Sequence, residues 1–521
     1  MDKYIIAYDL GTGGNKASLY NSKGKCLAAS FVAYSTFYPK NGFHEQRPDD
    51  WWQAIVESTR HLLEHTNIPT EQITCCGISG HSLGVVPIDK HNRLMRDTVP
   101  IWSDSRSEPQ QLEPFFTKIP ESKWYTLTGN GFPAGLYSVF KILWLRDNEP
   151  EIYHKINKVI GTKDYINFKL TGKIATDYSY ASGCGVYDLN NWKYNDELIA
   201  AAGIDPDILP RIVPSTEVLG HLTPDAAKEI GLPQTLQVVA GGVDNSCMAL
   251  GARAFKEGRS YNSLGSSSWI AVCSSKPLLN QKSRPYVFAH VVPGMFASAT
   301  AIFSAGSSFR WIKDQLCIDL VEKAQSQNKD VYDLMSDLAR QSPVGAKGLL
   351  FNPSLAGGSL LDADPAIRGA FIGLDLGHSR NDLIRAAMEG ISIGLRVALD
   401  ELRTLTSLTD EMIAVGGASK SEVWRQIFAD VYNMKIVKTS VDQQTAALGA
   451  AALAAVGTGI WSDFELIDQV NKIESVVKPN TQANNTYNKI IPIFQKASGY
   501  LADLGKDISH ILYFSDTVQN V

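Results

Sequence analysis

Short apolar runs separated by small polar turns dominate the first 35 residues of the chain. Residues 4–9 and 16–20 are apolar enough for buried strands, and residues 11–14 between them form a glycine-rich turn. A second turn at 21–24 leads into a third apolar run at 25–34. The pattern predicts an antiparallel meander that opens with a tight turn.

Hydrophobic residues change to helical spacing after residue 48. In 48–65 they recur every three or four positions behind two acidic residues, which predicts a helix, and 73–79 is predicted to be a buried strand. The most apolar stretch, 446–456, is about half of the roughly 20 residues that span a bilayer. It is interpreted as a buried helix. The tail beyond Gly459 has helical periodicity and is interpreted as packing or a cap.

The second half of the chain repeats the theme of its beginning. Residues 261–268 resemble residues 8–14, because both contain a Leu-Gly pair followed by small residues, and an apolar run resumes at 269–273. Two related lobes with facing phosphate loops would produce this similarity. The similarity therefore suggests an internal repeat.

The length predicts more than one domain. A chain of 521 residues exceeds what one compact core accommodates. Gly251 and Gly258 bracket a short segment that is typical of a turn, which indicates a domain boundary near residue 255. The predicted domains are 1–254 and 255–521.

Composition and charge exclude several classes of protein. Hydrophobic content of 44% and charged content of 20% describe a globular chain, and a net charge of −5 without a dense Lys/Arg tract argues against nucleic acid as a partner. Seven cysteines without a CxxC pair predict reduced core thiols. The N-terminus enters a strand without the regions of a signal peptide, so we expect a cytoplasmic protein that does not bind a membrane.

Three glycine-rich turns follow apolar runs, at 11–14, 265–268 and 416–419. Glycine allows phosphate oxygens to approach backbone N–H groups closely, and the helix predicted at 422–431 would favour an anion at its start. Each turn alone could be an ordinary turn, but the set of three indicates phosphate binding. The Walker and Rossmann patterns are absent in the required context, so another nucleotide-binding fold is needed.

Two aspartates stand at the ends of predicted strands. Asp244 follows an apolar run and the pair Gly241-Gly242, where its carboxylate can enter a cleft and accept a hydroxyl proton. Asp9 ends the first strand, and two separated acids allow a division between base and metal-water ligand. The alternative for either residue is an Asx turn or a helix cap.

Two short loops carry side chains that suit a polyhydroxyl ligand. Trp102, Asp104 and Arg106 combine an aromatic face, an acid and a guanidinium, and His81 lies in a second loop between two glycines. The alternatives are a surface ion pair beside a half-buried tryptophan, and a core histidine.

The order of these motifs resembles the FGGY carbohydrate kinases from residue 4 to about residue 460. The run GAFIGL at 369–374, followed after seven residues by DLIRAAME at 382–389, fits the C-terminal signature of that family at every constrained position. The run SVFKILWLRDN at 138–148 fits the other signature, with Leu136 where a small or aromatic residue is usual. Lys141 and Trp144 of this signature are interpreted as structural.

The resemblance implies an α/β fold of two actin-like (ribonuclease H-like) domains with an ATP/sugar cleft between them. It also implies that the sugar binds mainly to the N-terminal domain, 1–254, and ATP mainly to the C-terminal domain, 255–521. It makes Asp244 the catalytic base and places Asp9 near Mg2+ and the phosphates. The residues implied to contact ATP are Gly11, Thr12, Gly13, Gly265, Ser266, Gly306, Gly417 and Ser421. The residues implied to contact the sugar are His81, Ser82, Leu83, Trp102, Asp104, Asp244 and Asn245.

The sugar loops favour a ketopentose such as xylulose as the substrate. The loop Trp102-x-Asp104-x-Arg106 is similar to that of pentulose kinases, whereas Ser82 and Leu83 replace the sugar-reading pair of D-xylulose kinases. Other sugars and polyols, of the ribulose, tetrulose, erythritol or glycerol type, stay open. Two other classes also stay open, an actin-like ATPase and a sugar-sensing regulator. Homodimers are common in the family.

Overall fold

The structure, a computed structural model, describes residues 2–131, 133–359, 361–441 and 444–518. The chain is mixed α/β and forms two compact units, each built from separate stretches of sequence. The first unit contains Met1–Glu257, Cys273–Ser298 and Gln444–Lys472, and the second contains Gly258–Val272, Ala299–Gln443 and Ile473–Val521. The chain therefore passes between the units several times. The boundary between domains predicted at 254/255 stays a prediction.

The strands of the described residues are β1 (Tyr4–Gly11), β2 (Gly14–Asn21), β3 (Cys26–Ala33), β4 (Glu45–Gln46), β5 (Ile73–Gly80), β6 (Val86–Ile88), β7 (Val99–Pro100), β8 (Lys158–Ile160), β9 (Thr176–Asp177), β10 (Tyr187–Asp188), β11 (Lys193–Tyr194), β12 (Ile212–Val213), β13 (Val218–His221), β14 (Gln237–Val239), β15 (Gly242–Val243), β16 (Ser260–Leu264), β17 (Ser268–Ser274), β18 (Tyr286–Ala289), β19 (Phe296–Ile302), β20 (Leu350–Asn352), β21 (Ala370–Ile372), β22 (Glu411–Gly416), β23 (Lys435–Thr439) and β24 (Ile473–Val477).

The α-helices of the same residues are α1 (Pro48–Glu64), α2 (Pro109–Lys118), α3 (Glu121–Thr128), α4 (Ser138–Asn148), α5 (Pro150–Tyr153), α6 (Thr162–Thr171), α7 (Tyr178–Ala181), α8 (Asp196–Ala202), α9 (Pro224–Ile230), α10 (Asp244–Gly251), α11 (Gly306–Leu316), α12 (Ile318–Gln327), α13 (Val331–Arg340), α14 (Arg380–Leu405), α15 (Glu422–Tyr432), α16 (Thr445–Gly457), α17 (Leu466–Val470) and α18 (Thr481–Val518).

The first unit is organised around a sheet with strand order β13-β14-β5-β1-β2-β3, and β15 also pairs with β5. The chain begins with the predicted antiparallel meander β1–β2–β3, and β1 then pairs in parallel with β5. A core cluster beneath this sheet includes the buried side chains of Tyr8, Trp51 and Ile78. Because β14 and β15 also run parallel to β5, several strands of this sheet end at the same edge.

The apolar stretch predicted at 446–456 is the buried helix α16, which packs on β5 and α10 within the first unit. The approach is close enough that a Cβ added at Gly77 would lie 2.3 Å from the carbonyl oxygen of Ala450. A Cβ at Gly449 would lie 2.0 Å from the carbonyl oxygen of Cys247. Small residues on both elements therefore allow the helix to lie directly against the strand that carries the site.

The second unit repeats the strand arrangement of the first. Its strands follow the order β17-β16-β22-β23-β24, with β16–β17 antiparallel and β16–β22–β23 parallel. An antiparallel pair followed by a parallel neighbour is also how β1, β2 and β5 are arranged. The repeat suggested by residues 8–14 and 261–268 therefore lies at equivalent places in the two sheets. The tail, predicted to be helical, also adds the edge strand β24 before the long helix α18.

Two further predictions concern the membrane and the cysteines. No helix in the described part of the chain is long and apolar enough to cross a bilayer. Five of the seven cysteines are buried, and the structure places none of them in a disulfide, as the prediction of reduced core thiols expects.

Candidate active site

The carboxylate of Asp9 lies near the end of β1, where the sheet register places it beside Ser79 of β5. The hydroxyl of Ser79 donates a hydrogen bond of 3.1 Å to Oδ1 of Asp9. Parallel strands end at the same edge of a sheet, so the side chains that follow β5 and its neighbours come together there. Asp9 is thus fixed at this edge by the strand pairing itself.

Asp244 reaches the same edge from the other side of β5. The short strand β15 pairs Gly242 with Ser79, and Asp244 follows as the first residue of α10. Gly241 has a φ of +71°, and a Cβ there would lie 2.1 Å from the carbonyl oxygen of Ile78. Only glycine permits this tight turn after β14, which explains why the Gly-Gly pair precedes the aspartate.

The negative charge of Asp9 acts on the carboxyl group of Asp244. Burial raises the pKa of Asp244 from 3.8 to about 7, and the negative charge of Asp9 adds to this rise, while the backbone N–H of Asn245, which donates to Oδ1 at 2.8 Å, opposes it. Burial also raises the pKa of Asp9, although the Ser79 hydroxyl and the charge of Lys16 oppose the rise. A carboxylate with a pKa near neutrality is suited to accept a proton.

The turn at 11–14 joins β1 and β2, and side chains outside it hold its backbone. Nε2 of Gln46 donates to the carbonyl oxygen of Thr12 at 2.7 Å, and the hydroxyl of Tyr34 donates to that of Gly11. Gly13 at the tip is exposed, and a Cβ added there would meet no atom within 4 Å. The tip is therefore an open, small-residue surface next to Asp9, as a phosphate turn requires.

Trp102 connects the predicted sugar loop to this turn. Its Nε1 donates to Oγ1 of Thr12 at 2.8 Å, while 43% of the residue stays exposed. Part of the Trp102 side chain is thus accessible to a ligand. The structure brings together Asp9, Thr12, Trp102 and Asp244 around the carboxyl edge of one sheet.

Asp104 and Arg106 form a buried ion pair, although the sequence left a surface pair open. Nη2 of Arg106 lies 2.8 Å from Oδ2 of Asp104, and the backbone N–H of His44 donates to the same oxygen at 2.7 Å. The guanidinium also lies over the rings of Phe43 and Trp144. Asp104 has no exposed surface, so its contact with a sugar stays a prediction.

Lys141 of the N-terminal family signature holds the two predicted sugar loops together. Its Nζ donates to the carbonyl oxygens of Leu83 at 3.1 Å and Ile101 at 2.6 Å, and the lysine has no exposed surface. Burial lowers the pKa of Lys141 to about 7. Leu83 has a φ of +59°, a strained conformation for a residue with a Cβ, which the bond to Lys141 helps to maintain. The signature lysine is therefore structural, as predicted, but its structural role is to position ligand loops.

His81 lies under the first of these loops, with only 1% of its surface exposed. Its ring packs edge-on against Trp51, and neither ring nitrogen has a hydrogen-bond partner among the described residues. Burial lowers the pKa of His81 to about 3, so the ring is neutral. Ser82 and Asn245 are partly exposed, whereas Leu83 is largely buried. Contacts of these residues with a sugar stay predictions.

The second unit brings the predicted ATP residues Gly265, Ser266 and Gly306 together. The backbone N–H of Gly306 donates to the carbonyl oxygen of Gly265 at 3.0 Å, and that of Ser307 donates to Ser266 at 3.0 Å. A Cβ at Gly306 would lie 2.1 Å from the Gly265 oxygen. The exposed turn between β16 and β17 therefore rests on the first residues of α11.

Gly417 and Ser421 lie beyond the end of β22, which pairs with β16 so that Gly416 is opposite Leu264. Gly417 is exposed and follows this strand end directly, next to the turn that carries Gly265. The hydroxyl of Ser421 accepts from the backbone N–H of Trp424 at 3.2 Å as the N-cap of α15, and it also contacts Oγ of Ser336 at 2.9 Å. Ser421 thus has a helix-capping role besides any contact with ATP.

The residues at Asp9 fit a magnesium ion that arrives with a nucleotide. Among the described residues no group of three or more His, Cys, Asp or Glu side chains could hold a metal ion by themselves. Mg2+ keeps several waters and is commonly held by one or two carboxylates together with substrate phosphates. Asp9 and Asp244 supply hard oxygen donors of this kind, so the donor set is compatible with the predicted ion.

Sequence reasoning did not find several residues that shape the site. Ser79 donates a hydrogen bond to Asp9, Gln46 to the carbonyl oxygen of Thr12, and Lys163 to the carbonyl oxygen of Ala240. Each of these bonds joins parts of the chain that are distant in sequence. The strand register could have indicated Ser79, because β1 and β5 were both predicted as strands. Gln46 and Lys163 carry no local signal, because each acts on a backbone carbonyl contributed by another element.

Comparisons with known proteins agree with this architecture. The model of the FGGY family of carbohydrate kinases, N-terminal domain, matches residues 4–251, and the model of the C-terminal domain matches residues 260–458. A xylulose kinase of Bacillus subtilis (strain 168) is 30% identical over 503 residues, which cover 96% of this chain and 98% of that protein. A gluconokinase of Bacillus licheniformis is 30% identical over 499 residues, which cover 95% of each chain. The crystal structure of a ligand-bound xylulose kinase from Lactobacillus acidophilus has a TM-score of 0.87 at 26% identity and covers 96% of this chain and 98% of its own.

The fold and these similarities define a sugar kinase, a phosphotransferase with an alcohol group as acceptor. More specifically, the chain belongs to the FGGY family of carbohydrate kinases. The predicted family and the predicted two-domain α/β fold are both confirmed.

Proposed function

We propose that this kinase transfers the γ-phosphoryl group of ATP to a terminal hydroxyl of a ketose, most specifically a ketopentose such as xylulose, with Asp244 as the base. The observation that supports the role of Asp244 most directly is its position beside Asp9 at one sheet edge, with a pKa raised to about 7. Such a carboxylate is partly deprotonated at neutral pH and can exchange protons readily.

In the proposed step, the carboxylate of Asp244 accepts the proton of the sugar hydroxyl while that oxygen attacks the γ-phosphorus. The bond between the γ-phosphorus and the bridging oxygen to the β-phosphate breaks, and ADP leaves with that oxygen. The proton on Asp244 is then released to solvent. Phosphoryl transfer needs little covalent help from the protein, so most of the catalysis comes from positioning the two substrates.

ATP would be held by small-residue turns of the chain. Gly13 is open enough for a phosphate to approach its backbone, and Gly265, Ser266, Gly306 and Gly417 form an equivalent surface in the second unit. Mg2+ bound with the nucleotide would neutralise phosphate charge, and Asp9 would hold the ion or its waters.

A neutral ketose is favoured over a sugar acid by the charges of the sugar loops. In the segments 80–84 and 100–106 the cationic side chain is Arg106, which is ion-paired with Asp104 and buried. The neutral ring of His81 adds no charge. The exposed part of Trp102 would suit packing against a sugar, since aromatic side chains commonly line sites for small organic ligands.

Gluconate is a second candidate, because a gluconokinase is as similar to this chain as the xylulose kinase is. Its carboxylate would need a cation near the acceptor. Lys141 could supply one only by leaving the carbonyl groups of Leu83 and Ile101. The ketose therefore fits the described contacts with less rearrangement.

The test is a coupled ADP-release assay with Mg2+ and ATP across ketopentoses, tetruloses, polyols, aldoses and gluconate. The proposal expects one ketopentose to have the highest kcat/KM and its product to carry phosphate on a terminal carbon. A clear preference for gluconate would contradict the substrate and leave the kinase class intact. ATP hydrolysis that no sugar stimulates would contradict the proposed reaction and favour the ATPase or regulator classes.

A further inference from the structure

A buried hydrogen-bond chain ends on the backbone that carries Asp244. The N–H of Val243, the residue immediately before Asp244, donates to Oγ of Ser179 at 2.9 Å. The hydroxyl of Ser179 in turn donates to Oδ2 of Asp177. Ser179 and Asp177 have no exposed surface, and neither belongs to the predicted set of substrate contacts.

Asp177 is itself fixed by several groups. Nζ of Lys163 lies 3.0 Å from its Oδ1, and Oδ2 accepts from Oγ of Ser215 at 2.7 Å and from the backbone N–H of Ser179 at 3.0 Å. Lys163 is also paired with Asp164 at 2.6 Å. A buried charge network with this many partners has one low-energy arrangement, so the position of Ser179 is well determined.

The same network holds the other end of the turn before Asp244. The carbonyl oxygen of Ala240 accepts from Nζ of Lys163 at 3.3 Å and from Nδ2 of Asn167 at 2.8 Å. The segment from Ala240 to Val243 is therefore fixed by hydrogen bonds at both ends, at the carbonyl oxygen of Ala240 and at the N–H of Val243. Between them Gly242 has no spare room, because an added Cβ would lie 2.3 Å from Cγ1 of Val291.

We propose that Ser179 is a positioning residue that acts through the Val243 N–H to fix Asp244 for proton transfer. This inference rests on the proposed function of Asp244 as the base. Loss of the Ser179 hydroxyl leaves the Val243 N–H without its acceptor and lets the start of α10 shift. Small displacements of a reacting group reduce the rate steeply, up to about 100-fold for a displacement of about 1 Å. The predicted ATP contacts, and the predicted sugar contacts in the loops at 81–83 and 102–104, do not bond to Ser179.

The experiment compares Ser179→Ala with Ser182→Ala. Ser182 is also fully buried, and it forms two hydrogen bonds as well, donating to the carbonyl oxygen of Ser179 at 2.7 Å and accepting from the N–H of Ala289 at 3.1 Å. It therefore matches Ser179 in burial and bonding, but its hydroxyl bonds to the backbone of Ser179 and Ala289 and not to the N–H of Val243. The measurements are kcat, KM for the best sugar, KM for ATP and the thermal midpoint of each variant.

We expect Ser179→Ala to lower kcat by roughly 10- to 100-fold, with KM for ATP within about twofold of wild type and a smaller change in KM for the sugar than in kcat. Ser182→Ala should keep kcat within about twofold of wild type, even if its thermal midpoint falls as far as that of Ser179→Ala. If Ser179→Ala does not fold, Ser179→Cys keeps the size with a weaker acceptor and should show a smaller fall in kcat. Unchanged kcat in a folded Ser179 variant, or equal falls in both alanine variants, would overturn the inference.

A failure of the proposed function and a failure of the role of Ser179 give different results. A wild-type protein that phosphorylates no sugar would remove the proposed function, and the inference with it. A wild type that is active, and that loses activity in Asp244→Asn but not in the Ser179 variants, would leave the proposed function in place and overturn the inference alone.

Discussion

Nε1 of Trp102 donates a hydrogen bond of 2.8 Å to Oγ1 of Thr12, and this bond joins the loop predicted to contact the sugar to the turn predicted to contact phosphate. Both residues belong to the first unit. Because much of Trp102 is exposed, the bond contributes little to the stability of the fold. Its main effect is to hold two ligand-binding segments in a fixed relation.

Trp102→Phe keeps an aromatic face and removes the donor. We predict that KM for the sugar rises about 3- to 10-fold, which corresponds to one ordinary hydrogen bond, while the thermal midpoint changes by no more than about 2 °C. Trp311→Phe is the control, since Trp311 is also 43% exposed and lies in the second unit. An equal rise in KM in the control would contradict a specific role for Trp102.

Lys141→Met should loosen the two sugar loops without touching Asp244. The carbonyl groups of Leu83 and Ile101 lose their buried donor, so we predict a rise of at least about 10-fold in KM for the sugar and an unchanged KM for ATP. Lys118→Met removes a lysine–carbonyl bond of 3.0 Å to Ala201 elsewhere in the first unit and serves as the control. The change expected for Lys141 is thus in KM for the sugar, whereas the change expected for Ser179 is in kcat. A Lys141 variant that lowers kcat alone would contradict the role of Lys141 in positioning the sugar loops.

Gly13→Ala and Gly417→Ala test whether phosphate approaches these turns. Neither glycine has a positive φ, and an added Cβ would meet no atom closer than about 4 Å, so the folded protein should accept both changes. We predict an unchanged thermal midpoint and a rise of roughly 10-fold or more in KM for ATP, because the methyl group blocks the close approach of a phosphate oxygen. Gly499→Ala, which also meets no atom within 4 Å, should change neither KM. Normal KM for ATP in both turn variants would rule out these contacts.

The raised pKa of Asp244 predicts a pH dependence of activity. The carboxylate must be ionised to act as the base, so kcat/KM should rise with pH and level off above an inflection near pH 7. An acid limb centred near pH 4, the ordinary range of an aspartate, would contradict the described environment of Asp244.

The same shift predicts a pH dependence of stability. The pKa of Asp244 is about 7 in the folded protein against 3.8 as a free group, so between these values the folded state binds more protons than the unfolded state. Its contribution to stability is therefore greatest at low pH and is lost as pH rises through 7. The thermal midpoint of Asp244→Asn minus that of wild type should increase from pH 5 to pH 8. A difference that does not change with pH would contradict the shift.

A buried cluster in the second unit gives a structural role to the C-terminal signature. Oε1 of Glu389 accepts from Tyr487 at 2.7 Å, from Nε of Arg385 at 2.7 Å and from the N–H of Gly345 at 3.0 Å. Tyr487→Phe removes one of these donors and should lower the free energy of unfolding by about 1–3 kcal/mol with unchanged KM values. Tyr500→Phe, on the exposed side of α18, should have no effect. Equal stability of both variants in urea would show that the cluster is not stabilising.

The parts of the site that follow from local pattern could be predicted from the sequence. Apolar runs and glycine turns were enough to place Asp9 and Asp244 near strand ends. The prediction that Asp9 itself ends the first strand was wrong, because β1 continues to Gly11 through its pairing with β2. The buried helix α16 and the repeat of the strand arrangement followed from the same kind of signal.

The contacts between distant segments could not be predicted in this way. Asp104 is buried in an ion pair because Arg106 and the N–H of His44 satisfy both of its oxygens, and nothing in the local sequence reveals that. The role of Lys141 depends on two carbonyl groups from two loops, and that of Ser179 on a backbone N–H 64 positions away. Every residue type has a backbone carbonyl group, and nearly every type has a backbone N–H. The identity of the residue that offers the backbone group therefore does not reveal such a hydrogen bond.

The most direct test of the account is kcat of Asp244→Asn on the best sugar, measured as sugar phosphate formed in quenched reactions. Asparagine keeps the shape of the side chain and cannot accept the proton. We predict a fall in kcat of roughly 10²- to 10⁴-fold with KM for ATP little changed. Turnover close to that of wild type would contradict the assignment of Asp244 as the base and, with it, the central claim.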